Sequence, residues 1–416
     1  MVSVVQINSG DLMGRRFNGF DLTPHLRKHD VYSNHLVFWN HESDAEFVGK
    51  LFPYPGSRTL TRAINLLERR LSLHAKLHPH SWMLPLHGKV RAADLVHYHI
   101  IHDGFFSLSA LPYLSRLKPT VWTWHDPWPM TGHCIYPMGC DRWQSGCGTC
   151  PDLTLPFAMQ SDRSGEQFQW KKDIYPKINA EIIVASPWMH EMASKSQLAK
   201  SFKITTIPFG LDLDVYEPRD KSAARERLGV LPDRKVICIR TSSTPYKGLA
   251  DFITALDAID PSQKLCIIGF QEIGHFDRFI GRHQIIEFGW TNDDELLRDA
   301  LAACDFFMMP SKAEAFGLMA IEAMACGRAV VSYDGTSLPG ITFAPDAGIS
   351  VPMGDIGALA NAITHMLKDA EDCEARGRLS RKMAKTHYDI KRQARETSEV
   401  YHRLANTTSS GRTEPA

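Results

Sequence analysis

The chain has 416 residues, 44% of them hydrophobic and 23% charged, and its 47 basic and 47 acidic side chains cancel. That length exceeds one ordinary core and suits two α/β domains of about 200 residues each. Zero net charge disfavours a wholesale nucleic-acid binder, and the composition is that of a globular enzyme.

Val2–Ile7 reads as a first strand. The opening residues lack a basic leader, and Asn8 and Asp11 interrupt any apolar run, so they do not read as a signal peptide. No stretch approaches the roughly 20 apolar residues that span a bilayer. The expectation is a cytoplasmic protein, peripheral at most at the inner face of the plasma membrane. Residues 58–76 read as a basic amphipathic helix that could rest on anionic lipid. The preferred reading packs its leucines on the sheet.

Leu95–Ile101 and Thr120–Trp124 read as further strands of that sheet, followed by His102-Asp103 and His125-Asp126. Both pairs lie at strand carboxyl ends, where open α/β sheets bind ligands. His125 is the better candidate for a polar contact to substrate, with a structural histidine as the rival reading.

Between residues 125 and 151 stand Cys134, Cys140, Cys147 and Cys150, the last two as C-x2-C among glycines. Four converging thiolates would make a closed tetrahedral zinc site, and His133 could displace one of them. Reduced cysteines without metal and disulfides are the alternatives. Nine cysteines in all, an odd number, argue against a fully paired framework. Cys238, Cys266, Cys304, Cys326 and Cys373 sit in apolar segments as expected core residues.

Glu181–Ala185 is another strand, and the Pro and Gly of residues 207–212 mark a domain boundary. A second series of strands follows at Lys235–Ile239, Lys264–Ile268, Gln284–Phe288, Asp305–Met309 and Ala329–Tyr333. Helical patterns fall between and after them at Leu249–Ala258, Asp294–Ala303, Phe316–Ala325 and Ile356–Leu367, with Gly327 as a C-terminal cap of the third. Near-continuous apolar strands alternating with helices imply parallel sheets covered on both faces. The expected organisation is a doubly wound domain over 1–207, a second over 208–388, a closing helix over 389–405 and a disordered polar tail over 406–416. Two such domains should form a cleft between the carboxyl ends of their sheets.

The most informative stretch runs from Asp305 to Gly327. A strand ends near Ser311, a loop follows, and a helix opens near Ala315. Amide groups at a helix start have no internal partner and favour an anion. Gly317 permits a phosphate to approach closely. Glu314 lies at the helix mouth and Glu322 about two turns in, roughly 12 Å apart at 1.5 Å per residue. A nucleotide sugar has about that spacing between its sugar and its ribose, so one carboxylate could hold each.

With Glu314-x7-Glu322, Glu322-Ala-Met-Ala-Cys-Gly-Arg-Ala-Val-Val331, Tyr246-Lys247-Gly248 and Phe288-Gly289-Trp290 in this order, the chain resembles the glycosyltransferases of family 4 over nearly its whole length. The resemblance implies the GT-B fold, two Rossmann-like domains facing each other across a cleft. It implies that Lys247 contacts the donor diphosphate, Glu314 the transferred sugar and Glu322 the ribose. Arg240, Gly248, Gly289, Trp290, Phe316, Gly317 and Leu318 complete the implied donor set. Many family members carry an Arg a few residues before the Lys; here Ser242 and Ser243 occupy that register, and Arg240 is the available substitute.

Glu314, Lys247 and His125 are the catalytic candidates, and Gly14, His102 and Asp126 the acceptor candidates. A Gly-Gly loop common in the family is absent, leaving Gly10 and Gly14. The Cys-rich segment resembles a subgroup that builds bacterial exopolysaccharides of the colanic-acid type. The implied reaction is retaining transfer of a sugar from a UDP- or GDP-sugar to a glycan or lipid-linked acceptor. It requires no catalytic cofactor, zinc being structural, and no nucleic acid. The alternatives are an epimerase or phosphorylase of the same fold, or a degenerate scaffold subunit.

Overall fold

The computed structural model describes residues 1–291 and 293–410, with side chains as far as residue 406. It separates into two compact units, one of Met1–Phe209 with the segment from Ile390, the other of Gly210–Asp389.

The first unit is built on strands β1 (Val2–Gly10), β2 (Val31–Asn40), β3 (Val48–Lys50), β4 (Leu95–His99), β5 (Thr120–Trp124), β6 (Ala180–Val184) and β7 (Lys203–Thr206). They form one parallel sheet in the order β3-β2-β1-β4-β5-β6-β7. Every residue of β4 and β5 is buried, as a strand covered on both faces requires. Strand order reverses between β1 and β4, which opens a crevice at their carboxyl ends.

This core contains a polar band that hydrogen bonds make tolerable. Gln6 donates to Ser33 at 2.7 Å. The His35 ring sits 3.2 Å from the Asn8 amide and 2.8 Å from the Thr23 hydroxyl. The His97 ring is bonded to the Tyr401 hydroxyl at 2.6 Å and the Thr123 hydroxyl at 2.7 Å.

Tyr401 belongs to the last helix, Ile390–Ser410, which returns to the first unit. Its Ile390, Ala394, Val400 and Tyr401 join Val2, Val4, Leu95 and Val121 in one hydrophobic cluster. Arg403 grips the Glu181 carboxylate through two bonds of 2.8 Å. The helix takes in residues 406–410, which were expected in a disordered tail; the rest of that tail lies outside the described residues.

The second unit carries β8 (Lys235–Arg240), β9 (Leu265–Gln271), β10 (Gln284–Gly289), β11 (Phe306–Met309), β12 (Ala329–Tyr333) and β13 (Ile349–Val351). These form a second parallel sheet, ordered β10-β9-β8-β11-β12-β13. Its reversal point lies between β8 and β11, where Phe306 pairs with Ile237 and Met308 with Ile239. Helices Leu249–Asp257 and Ile356–Lys368 bury Phe252, Leu256, Leu359 and Ile363 against it. Asp293 caps the helix Asp294–Ala303 by accepting the Glu295 and Leu296 N–H groups. The third expected helix opens at Leu318 rather than Phe316, because Gly317 takes a left-handed φ of 102° just ahead of it.

Candidate functional site

Lys247 and Glu314 meet at the reversal point of the second sheet. A short 3-10 turn after β8, Pro245–Lys247, ends at Gly248 with φ 74°. A Cβ on Gly248 would come within 1.8 Å of the Pro310 carbonyl oxygen, so the turn lies directly against the loop that leaves β11. The Lys312 N–H donates to the Tyr246 carbonyl at 2.8 Å and ties the two loops together. Lys247 Nζ then lies 2.9 Å from the Glu314 carboxylate, with the two side chains 15% and 13% exposed. An ion pair so placed is partly shielded from water and strongly orienting, yet open to a ligand.

The second half of the Glu314 loop is held by Ser337. Its N–H donates to the Glu314 carbonyl at 3.1 Å and its hydroxyl to the Phe316 carbonyl at 3.0 Å. Phe316 is buried, and a Cβ on Gly317 would strike Leu338 at 2.6 Å. Leu318 begins the helix that carries Glu322. Glu322 is fully enclosed, at 0% exposure, so the structure brings Lys247 and Glu314 together on an accessible edge and keeps Glu322 inside.

Arg240, at the end of β8, donates to the Gln271 side chain at the end of β9. The loop after it is fastened by Glu272, which accepts the Ser243 N–H at 2.8 Å and lies 2.9 Å from the His275 ring. Neither Glu272 nor the Ser337 strut carries a motif. Gly289 closes β10, and Trp290 beyond it is 62% exposed. Asn292, in the same loop, lies outside the described residues.

The acceptor candidates fall in the first unit. His102 and Asp126 pair at 3.1 Å, and Asp126 also accepts the Trp128 N–H at 2.9 Å. Burial alone would raise the Asp126 carboxyl; the His102 ring and that N–H outweigh it and hold the group below the usual carboxylate range. The His102 ring stacks on Trp128, centroids 4.7 Å apart.

His125 stacks on Phe209 at 5.6 Å, approaches Phe17 at 5.3 Å and bonds through Nε2 to His99 Nδ1 at 3.1 Å. Burial pushes its pKa down to about 3, which makes it a neutral member of a histidine chain. Gly14 takes φ 78° in the loop after β1, where a Cβ would strike the Phe17 ring at 2.4 Å.

Beside them lies a pocket of about 520 Å³ that the sequence did not signal, lined by Arg62, Asn65, Arg69, His74, Asp103 and Phe157 among others. The His74 ring stacks on Phe157 at 3.9 Å and bonds the His102 carbonyl at 2.6 Å.

All four clustered cysteines line one small cavity with His133, and all are free thiols. Burial pushes Cys134 up to about 12 and Cys147 up to about 11, which favours thiols over thiolates. The zinc expectation finds no support: among the described residues no group of three or more His, Cys, Asp or Glu is placed to hold a metal ion. Other bonds tie this segment down. Buried Lys171 donates to the Trp128 and Thr131 carbonyls at 2.6 and 2.9 Å, with its ammonium 3.5 Å over the Trp128 ring. The Tyr175 hydroxyl donates to the Pro129 carbonyl at 2.9 Å.

Two parallel Rossmann-like sheets in one chain are the fold of the GT-B glycosyltransferases, and comparison with solved structures agrees. Sucrose-phosphate synthase from Thermosynechococcus elongatus superposes with a TM-score of 0.68 at 18% identity, covering 98% of this chain and 100% of that one. Anabaena HepE, in complex with UDP and glucose, gives 0.62 at 15% identity, over 96% and 99%.

Residues 220–383 match the family model described as Glycosyl transferases group 1. Those residues, most of the second unit, carry the resemblance to that domain family. Among curated relatives, WcaC of Escherichia coli K12, named as a colanic acid biosynthesis glycosyl transferase, is 24% identical over 247 residues. That match covers 57% of this chain and 59% of WcaC, so the chain spans less than two thirds of that relative's length.

Proposed function

We propose that this protein is a retaining glycosyltransferase that moves a sugar from a UDP- or GDP-sugar to a glycan or lipid-linked acceptor in surface or exopolysaccharide assembly. The observation that carries this reading is the Lys247–Glu314 pair at the carboxyl ends of β8 and β11. As the bond between the anomeric carbon and the diphosphate oxygen breaks, its electron pair leaves with the diphosphate. The Lys247 ammonium stabilises that growing charge where it develops. Glu314 holds Lys247 in place and accepts hydrogen bonds from sugar hydroxyls. The acceptor hydroxyl attacks the anomeric carbon from the same face, and its proton passes to the departing phosphate oxygen. In this reading the anomeric configuration is retained because the incoming oxygen takes the face from which the diphosphate departs.

Glu322 is assigned to the ribose. Its carboxylate is enclosed in this structure, so that contact requires a local rearrangement around it. Arg240, Gly248, Gly289, Trp290, Phe316, Gly317 and Leu318 surround the donor in this reading, and His102, Asp126, His125 and Gly14 shape the acceptor side.

The UDP carried by Anabaena HepE supports a uridine donor, and the name of WcaC supports a polysaccharide acceptor. The proposed setting is the cytoplasm with peripheral contact at the membrane; no helix among the described residues is long and apolar enough to cross one.

The test is a thermal-shift screen with UDP-, GDP- and ADP-sugars, since a ligand of the native state alone raises the melting temperature. It is followed by measurement of released nucleoside diphosphate with and without a glycan acceptor. Acceptor-dependent release supports transfer. Equal release without acceptor, or conversion of the donor to an epimer, ends this reading in favour of other chemistry on the same fold. No binding at all leaves a scaffold.

A further inference from the structure

Gln271, the last residue of β9, holds a backbone conformation that a side chain disfavours. Its φ is 97°, whereas the other described non-glycine residues with positive φ lie between 45° and 68°. That angle falls outside the small left-handed basin open to residues with a Cβ, and glycine would adopt it without steric conflict.

The chain leaving β8 imposes this conformation. The Thr241 N–H donates to the Phe270 carbonyl at 2.7 Å. The Thr241 hydroxyl lies 2.6 Å from both the Phe270 and the Glu272 carbonyl oxygens and accepts the Glu272 N–H at 3.1 Å. The Ser243 N–H donates to the Glu272 carboxylate. Both neighbours of Gln271 are therefore clamped, and Gln271 cannot relax unless those bonds break. Backbone strain persists only where the surroundings over-determine it in this way.

A glutamine at this position supplies one thing that glycine cannot, a side-chain oxygen that accepts the Arg240 Nε–H. Arg240 closes β8, seven residues before Lys247, beside the reversal point of the second sheet. It has no carboxylate partner among the described residues, so its charge is not neutralised locally. Held at Nε, the guanidinium keeps its two terminal nitrogens as a preset fork for two oxygens of one anion.

We infer that Gln271 is a positioning residue for the donor diphosphate: it fixes Arg240 at the exit of β8 so that the guanidinium fork joins Lys247 in holding that group. This deepens the proposed transfer reading and rests on it for the identity of the anion.

The experiment is isothermal titration of the full chain with UDP and with GDP, paired with melting temperatures. It is run on the wild type, Gln271→Gly, Gln271→Ala, Arg240→Met and the double variant Q271G/R240M. Glycine and alanine both remove the side chain, but only alanine must bear the left-handed backbone. Both should weaken binding of the nucleoside diphosphate by about threefold to tenfold, and to the same degree. The glycine variant should melt about 2–4 °C above the alanine variant. Affinity then tracks the lost side chain and not stability. Arg240→Met should weaken binding about tenfold or more, and adding Gln271→Gly to it should lower affinity no further, because Gln271 acts through Arg240.

Gln271 variants that bind as the wild type does overturn the inference and leave the transfer reading standing. A glycine penalty that persists in the Arg240→Met background also overturns it, as does equal melting of the glycine and alanine variants. A wild type that binds neither UDP nor GDP removes the donor reading itself, and the inference with it.

Discussion

Lys247 owes its position to a backbone bond between two loops, so its side chain can be removed without disturbing the frame that holds it. Lys247→Ala should lower turnover by about 10²–10³-fold, as loss of one charge-stabilising donor does elsewhere. Circular dichroism and melting temperature should stay near wild type. A fall of less than about threefold in initial-rate assays would remove Lys247 from the chemistry.

Lys171 works differently. Its ammonium is buried, its pKa is lowered to about 7 chiefly by burial, and its two carbonyl bonds pin the loop that precedes the cysteines. Lys171→Met leaves those carbonyls unsatisfied and should cost about 1–3 kcal/mol. Prolonged chelation should leave the melting temperature of the wild type unchanged. A chelator-induced drop would restore the case for zinc.

The sequence singles out Lys247 and Glu314 by their places in a strand, loop and helix pattern, and the two side chains do meet; the enclosure of Glu322 is not legible there. Nor are the Glu272 and Ser337 struts, because single polar residues in loops look alike until the chain folds.

At the level of elements, the apolar runs of β1, β4, β5, β6 and β8 to β12 identify themselves by composition, whereas the three residues of β13 are too short to do so. β2 escaped because Ser33, Asn34 and His35 interrupt its apolar pattern. Ser33 and His35 are tolerated inside because Gln6, Asn8 and Thr23 answer them. The helix Ser57–Arg70 was legible as a helix but not in orientation. Its leucines could cover a sheet equally well but stay exposed, and the choice is made by the Glu68 carboxylate reaching a loop seven to nine residues ahead.

The buried histidines of these strands make a prediction of their own. Burial lowers His35 to about 3 and holds His97 and His99 well below their ordinary value. The unfolded chain titrates near 6.5 and so binds more protons than the folded chain between roughly pH 6.5 and 3. Stability is therefore present above about pH 6.5 and is lost as pH falls through that window. The slope is about 1.4 kcal/mol per pH unit for each such histidine. Urea midpoints measured from pH 7 to pH 4 should fall steadily. A flat profile would mean that the histidines are solvated.

Across the whole molecule, the chain builds most of the first unit, crosses to the second for residues 210–389, and returns for its final helix. A chain cut after Asp389 loses Ile390, Ala394, Val400 and Tyr401 from the first core, together with the Tyr401–His97 and Arg403–Glu181 bonds. The first unit should then unfold or aggregate while the second keeps its structure. Tryptophan fluorescence can separate the two, because eight of the nine tryptophans lie in the first unit and Trp290 alone in the second. Two resolved transitions, with only the tryptophan-rich one shifted down, are the expected result.

The same return of the last helix imposes an order on biosynthesis. A ribosome adds about 5–20 residues per second, so the first sheet waits roughly ten to forty seconds while the second unit is made. During that interval the strands bearing Val2, Val4 and Leu95 have no Tyr401 or Val400 to cover them. The nascent protein is then an unfinished apolar surface, and its yield in a cell should depend on a holding chaperone more than its final stability would suggest.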